Sequence, residues 1–521
     1  MQQATETTAR QRWLTLVVLC LGLLVVSIDA GILNVALPTL VRDIGASPSQ
    51  LQWIVDAYTL VFAGLLLTSG NLGDRFGRKN VMSLGLLVFA IGSIAATFAS
   101  SPAQLIVLRA VLGLGGALIM PATLSILVNV FTDAAERRRA IAYWSLMNAA
   151  GGFFGPITGG FLLRHFSWHS CFFVNVPFVV AGLVLGKFFV PDSRDPSSAR
   201  FDFPGAVLST GALAVLIWAT IAGPDRGWGD SLVVGAFTAS VALFLAFVSR
   251  ELRCPAPMLD LRIFREPQLS AAATAMTVSF LAMTGTMFLV SQSLQLVRGY
   301  SPLRAALATS GPIVSVNFLV MPRTPRLIGK VGIRWMIVSG SCAVAVAAFV
   351  ISRTTVHSAY LNLFVGFAVM AFGFSVFVPA STEAIMTAVP PEKAGSASSI
   401  NQLVRLVGQA MGVAICGSIA SSRYRSTFDA EASGLTGSAL EAAQHSISGA
   451  VSAARELSSS ASDAALTAAR FAFQNGIRGA TLFASVLAVV AAIFGAIAIP
   501  GRHALATHLR SEDDDTLPVL D

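Results

Sequence analysis

Three ionisable residues, Asp29, Asp56 and Arg109, stand inside long apolar runs. A charge in such a place is costly enough to make each a candidate for function. A carboxyl there takes up or releases a proton: burial favours the neutral acid, and a nearby guanidinium favours the carboxylate. Moving Arg109 towards or away from an Asp would switch its proton occupancy. At 1.5 Å per residue, Asp29 lies roughly 14 Å, and Asp56 and Arg109 each roughly 9 Å, from one end of their runs. The three lie at similar depth, in the outer half, and their types predict a titratable network of two acids and one base. A static ion pair that only locks two runs together needs a single acid.

A second group is the stretch Gly70-Asn-Leu-Gly-Asp-Arg-Phe-Gly-Arg-Lys79, caught between the apolar runs 50–69 and 81–100. So short a connection predicts a hairpin. Gly70, Gly73 and Gly77 give backbone freedom and close helix approach. Arg75, Arg78 and Lys79 mark the cytoplasmic membrane edge. Asp74 is the lone acid, placed to pair with an Arg or to face a helix N-terminus, and its partner is not readable from the chain. Further on, Gly151-Gly-Phe-Phe-Gly-Pro-Ile-Thr-Gly-Gly160 predicts a kinked, closely packed helix, with Pro156 breaking the ladder and Gly151, Gly155, Gly159 and Gly160 allowing contact. Asn34, Gln295, Asn317, Glu383 and Arg405 are candidates for a substrate site or an inner gate, the last two as a pair. Phe280, Met283, Met287, Phe288 and Phe318 are candidates for an apolar pocket wall, although packing is the commoner fate of such residues.

The elements that carry these residues follow from composition. The chain of 521 residues is 55% hydrophobic and only 12% charged, against roughly 25% charged in soluble domains, and its mean hydropathy is +0.72. This is an integral membrane protein. Runs of ~20 apolar residues predict fourteen helices, at about 13–38, 50–70, 80–100, 104–127, 139–162, 170–190, 204–222, 232–250, 268–292, 304–322, 334–352, 358–380, 398–420 and 475–499. Lys and Arg cluster on alternate loops, which puts both termini in the cytoplasm. That clustering, rather than nucleic acid, accounts for the net charge of +8. Five scattered Cys residues form no disulfide or metal pattern. The first run has Arg10 and Arg12 before it and no small-residue cleavage site, so it reads as a helix and not a removed signal. Pro325 to Arg334 repeats the Gly70 to Lys79 loop weakly, with Gly329 where the first copy has Asp74. The domains expected are 1–195 and 266–500, six helices each, with two inserted helices in 196–265. The second of these domains includes an Ala- and Ser-rich outside segment at 421–474, between its last two helices, and 501–521 is a cytoplasmic tail.

The Gly70 to Lys79 loop resembles the signature between the second and third helices of the major facilitator superfamily. Asp29-Ala-Gly-Ile-Leu-Asn-Val-Ala-Leu-Pro38, Trp53, Asp56 and Tyr58, and Leu108 to Gly116 resemble the first, second and fourth helices of its fourteen-helix drug/proton antiporters. Gly151 to Gly160 is similar to the exporters' antiporter motif, and Asn175-Val-Pro177 and Gln295 to Pro302 also match. Ala142 departs from the pattern, where an upstream Gly is usual. The resemblance implies two rocking six-helix bundles plus two extra central helices, an all-α major facilitator fold. It implies proton transfer at Arg109, gating by the Asp74 loop, and export of hydrophobic or cationic toxic compounds from a bacterial inner membrane. The alternative is a proton-coupled exporter of one endogenous metabolite, lipid or siderophore. Some family members carry an acid in the tenth helix that helps bind divalent cations; Asn317 stands in that helix here without one, so dications are expected to be poor substrates. No nucleotide loop, zinc motif or nucleophile elbow points to an enzyme or an ATP-driven pump. The expectation is a monomer in the lipid bilayer, acting on small molecules, with no nucleic acid, no metal and no cofactor beyond the coupling proton.

Overall fold

The computed structural model describes residues 8–46, 48–193, 202–254, 257, 261–300, 302–355, 358–390, 393–431 and 459–499, with isolated positions between 440 and 450. The tail 501–521 lies outside the described residues. Every element among them is helical. Hydrocarbon offers a backbone no water to bond, so N–H and C=O groups must satisfy each other along the chain.

The helices are α1 (Ala9–Ile44), α2 (Pro48–Phe76), α3 (Arg78–Ala96), α4 (Pro102–Val130), α5 (Ala134–His165), α6 (Ser170–Phe189) and α7 (Phe203–Arg226). Then come α8 (Ser231–Arg253), α9 (Pro267–Gln292), α10 (Pro302–Val320), α11 (Ile333–Ser352), α12 (Tyr360–Thr387), α13 (Ala394–Glu431) and α14 (Ser459–Ala498). They correspond one by one to the fourteen expected runs. Thirteen are long and apolar enough to cross a membrane among the described residues, and α10 takes the remaining place. Local signals set the starts: Ser101 with Pro102 opens α4, and Asp133, Asp202 and Asp230 cap α5, α7 and α8. The amides of Glu136 and Ala135 hold the Asp133 carboxyl below the ordinary aspartate range.

The first six helices share one apolar core, which also takes in Leu269, Met386, Ala394 and Ala397 from the cytoplasmic ends of α9, α12 and α13. The two bundles are thus packed together on their cytoplasmic side. The inserted hairpin α7–α8 lies along the seam where α2 meets α13: Leu60 and Ala63, Leu216 and Ile217, and Leu406 and Ala410 form one cluster. Arg250 closes the base of this hairpin on Asp202 at 2.7 Å. The segment 421–474 is less separate than its sequence suggests. α13 and α14 extend into it, Tyr424 stacks on Phe428 and meets Phe473 edge-on, and the Tyr424 hydroxyl donates to the Ala443 carbonyl at 2.8 Å.

The Gly-rich run of α5 crosses α1. A Cβ on Gly155 would stand 2.8 Å from both the Gly31 Cα and the Ile28 carbonyl, and one on Gly151 would collide with Ser27. Gly159 meets Ile32, and Pro156 packs against Gly31. Gly152 and Gly160 face open space. Gly155→Val is therefore expected to destabilise the protein by about 1–3 kcal/mol, read as a lower melting temperature in detergent, while Gly160→Ala leaves it unchanged. Equal melting of the two variants would contradict this account of the crossing.

Candidate functional site

Asp29 and Arg109 meet in the middle of the first bundle, each only 2% exposed. Arg109 Nη1 donates to Asp29 Oδ2 at 2.5 Å. The other oxygen, Oδ1, accepts from Asn175 Nδ2 at 2.9 Å, and that amide also reaches Ser93 Oγ at 3.4 Å. Arg109 has further support: Nε donates to the Ile54 carbonyl at 3.0 Å, and the guanidinium lies 4.4 Å from the Tyr58 ring centroid. Gly113 makes room for this, lying against the Tyr58 backbone. Five helices, α1, α2, α3, α4 and α6, thus converge on one ion pair. Asp56 is half-buried on α2, two residues from both Ile54 and Tyr58. Chemically, a proton on Asp29 removes the charge that holds Nη1, while the Ile54 carbonyl and the Tyr58 face still hold the guanidinium.

Asp74 has found a helix N-terminus. The amides of Gly395 and Ser396, in the first turn of α13, donate to Oδ1 and Oδ2 at 2.9 and 3.0 Å, and Ser396 Oγ adds a bond of 3.4 Å. Arg78 donates Nε and Nη2 to Oδ1 at 3.0 and 2.8 Å. A carboxylate here sits on the positive end of the helix dipole and neutralises a buried Arg. One turn earlier, Gly70 lets α13 touch α2, since a Cβ would lie 2.5 Å from the Gly395 carbonyl. Ser399 Oγ donates to the Leu66 carbonyl and Ser398 Oγ to the Pro121 carbonyl, both at 2.9 Å. The rest of the loop is peripheral. Gly73 lies near Arg78, Gly77 takes φ +96°, Arg75 covers Phe76 and Lys79 bonds the Lys187 carbonyl.

Glu383 and Arg405, paired in the sequence reading, have separate partners. Glu383 Oε1 stands 3.6 Å from Arg138 on α5, and Arg405 meets Gln402 and Phe280. Arg138 also approaches Gly329, the position that matches Asp74 in the repeat. The acid missing from that copy is thus supplied from α12. Asn317 is buried and accepts from Ser375 Oγ at 2.7 Å, which ties α10 to α12. Gln295 lies half-buried in a π-helical turn, Ser293–Val297, and donates to the Ser291 carbonyl. The Asn34 side chain lies outside the described residues. Sequence reasoning missed Asn175, Ser93 and Arg138 as participants. The first two are neutral, so a search for buried charge passes over them, and Arg138 reads as one cation among three.

The N-terminus of α5 carries its own Asp133 cap, whereas α13 draws on Asp74 across the seam. Asp74→Asn is expected to leave the fold intact but to weaken the first turn of α13 by about 1–2 kcal/mol. Hydrogen–deuterium exchange should quicken there and stay unchanged at the start of α5. Unchanged exchange at both ends would rule out Asp74 as the cross-bundle cap.

Residues 19–413 match the profile of the Major Facilitator Superfamily. The multidrug efflux pump LfrA of Mycolicibacterium smegmatis is 37% identical over 492 residues, spanning 94% of this chain and 96% of that protein. The methyl viologen resistance protein SmvA of Salmonella typhimurium is 32% identical over 466 residues, 89% of this chain and 93% of that one. Among solved structures, the human organic anion transporter MFSD10 aligns with a TM-score of 0.62 over 93% of this chain and 99% of its own, at 14% identity, a likeness of fold alone. Two six-helix bundles, a charged loop between α2 and α3 and these full-length relatives lead to one conclusion: the chain belongs to the major facilitator superfamily, a family of multi-pass membrane transporters and not of enzymes.

Proposed function

We propose that the chain is a proton-coupled antiporter that exports hydrophobic and cationic drugs from the cytoplasm by alternating access in the cell inner membrane. The observation that carries the reading is the buried Asp29–Arg109 pair, in which one acid holds a cation that a second set of partners holds as well. A proton entering from outside neutralises Asp29, frees Arg109 Nη1 and changes how α1 and α4 hold together. The Asp74 contact with α13 keeps the cytoplasmic side closed while this happens, and its release opens the path for a substrate. The named activities of LfrA and SmvA support drug export as the task being driven.

Everted vesicles made acid inside test it. Several unrelated lipophilic compounds should collapse the pH gradient in the wild type. The response should fall by about tenfold or more in Asp29→Asn, as expected when a charge-assisted contact is lost, and should be reduced in Asp56→Asn. An undiminished response in Asp29→Asn overturns the coupling role, and a response to one metabolite only would point to a dedicated exporter. Methyl viologen, a dication, should be exported less well than a monovalent analogue, because α10 offers Asn317 and no acid. Equal export of the two would remove Asn317 from the account.

A further inference from the structure

α13 carries a charge that neither the Asp29 cluster nor the cytoplasmic contacts use. Arg405 stands roughly 16 Å along α13 from its cytoplasmic start, at 1.5 Å per residue, close to the middle of a ~30 Å hydrocarbon layer. It is half-buried. Among the described residues no carboxylate contacts it: Gln402 Oε1 accepts from Nη1 at 3.3 Å, and the guanidinium lies 5.1 Å from the Phe280 ring centroid. A guanidinium has five N–H donors, and an uncompensated charge at this depth is costly.

The polar groups beside it are also under-used. Asn401 is fully buried, yet its Nδ2 and Oδ1 have no hydrogen-bond partner among the described residues. The same holds for Gln402 Nε2 and for the Tyr58 hydroxyl, on residues that are 5% and 6% exposed. The helix register brings these groups to one level. Ser398, seven residues before Arg405 and so on the same face of α13, donates to the Pro121 carbonyl of α4. This face therefore meets the first bundle. α4 runs inward as α13 runs outward, so one turn beyond that contact Asn401 and Gln402 reach the level of Ala117. The Tyr58 hydroxyl lies beside the next residue, 2.9 Å from a Cβ placed on Gly116. The ring of Tyr58 in turn carries Arg109.

We propose that Arg405, Gln402, Asn401 and the Tyr58 hydroxyl form the polar end of the substrate site, and that they receive a carboxylate or phenolate borne by an otherwise apolar molecule. The inference rests on the export reading and adds to its hydrophobic and cationic compounds an anionic class that composition alone would not suggest. The guanidinium makes paired bonds to a planar anion, the amide and phenol donors take its remaining lone pairs, and Phe280 with its edge-on neighbour Phe374 presents an aromatic wall to the apolar body. A neutral ester of the same shape gains the wall without the charge, and a cation is opposed by the guanidinium.

The test uses the full chain in lipid nanodiscs with three probes: pyrenebutyrate, its methyl ester and the matching pyrenebutyl trimethylammonium salt. Binding is read by fluorescence anisotropy, and export by counterflow in proteoliposomes. The wild type should bind the acid about tenfold or more tightly than the ester, as a charged hydrogen bond warrants. Arg405→Gln should erase that margin and keep the ester's affinity, and Arg405→Lys should keep part of it, a point charge without the planar fork. Equal binding of acid and ester by the wild type overturns the inference, whatever the variants do. So does an Arg405→Gln that weakens all three probes alike, because that is the mark of a structural Arg. If the wild type exports the ester or the ammonium probe but does not favour the acid, this inference fails and the export reading stands. If it exports none of the three, the export reading fails with it.

Discussion

A charge surrounded by hydrocarbon is costly unless something compensates it, and the pairs that supply the compensation organise this protein. Asp29 with Arg109, and Asp74 with Arg78, are closed pairs almost without exposure, and Glu383 is buried against a partly exposed Arg138. Such pairs add little net stability, because desolvation offsets their attraction, but removing one partner with no acceptor or donor left in its place strands a buried charge. They therefore act less as glue than as constraints on which helix packings are permitted. A change of charge at one such pair would alter those constraints at a single point, and packed helices respond to such changes by exchanging one discrete packing for another.

The two cytoplasmic seams meet this requirement differently. At the α2–α13 seam a carboxylate accepts from backbone amides, Gly70 allows near-contact of main chains, and Ser398 and Ser399 donate to carbonyls of α4 and α2. Nearly all of these bonds use main-chain groups, so the seam is held by geometry that tolerates little sliding. At the α5–α12 seam a longer side-chain pair spans the bundles, and α5 needs no cap from its partner. The internal repeat is thus preserved as a fold but not as chemistry: Gly329 occupies the acid's place, and the charge has moved to α12.

The inserted hairpin is positioned by the same seam. α7 fills the groove where α2 and α13 approach, with Gly64 close against Thr210, while the Trp228 indole at its outer turn rests between Gly223 and Gly417. An apolar cavity of 740 Å³ lies between this hairpin, α9 and α13, lined in part by Leu216, Phe244, Thr277, Val407 and Met411. The hairpin therefore touches both bundles along one edge, and any rocking of one bundle on the other has to slide along α7.

Much of this was legible in the chain. Hydropathy located all fourteen helices, since a backbone in lipid has no other way to satisfy itself, and the Lys and Arg asymmetry oriented them. Charge in apolar runs singled out Asp29 and Arg109, because there the cost of burial is large and visible residue by residue. The loop glycines and Asp74 stood out by type and spacing. What the chain could not carry was which groups meet. The amides that receive Asp74 belong to residues 321 and 322 positions away, and backbone N–H groups are the same in every sequence. Ser93 is neutral and draws no notice, and Asn175 stands out only as part of a family-like stretch, until the bundle closes around Asp29. The pairing of Glu383 with Arg138, and the lack of a carboxylate at Arg405 among the described residues, depend on which faces of α5, α12 and α13 turn towards the seams. Burial and charge are properties of a residue and its neighbours along the chain; partnership is a property of distance, and only the packing of the helices sets that.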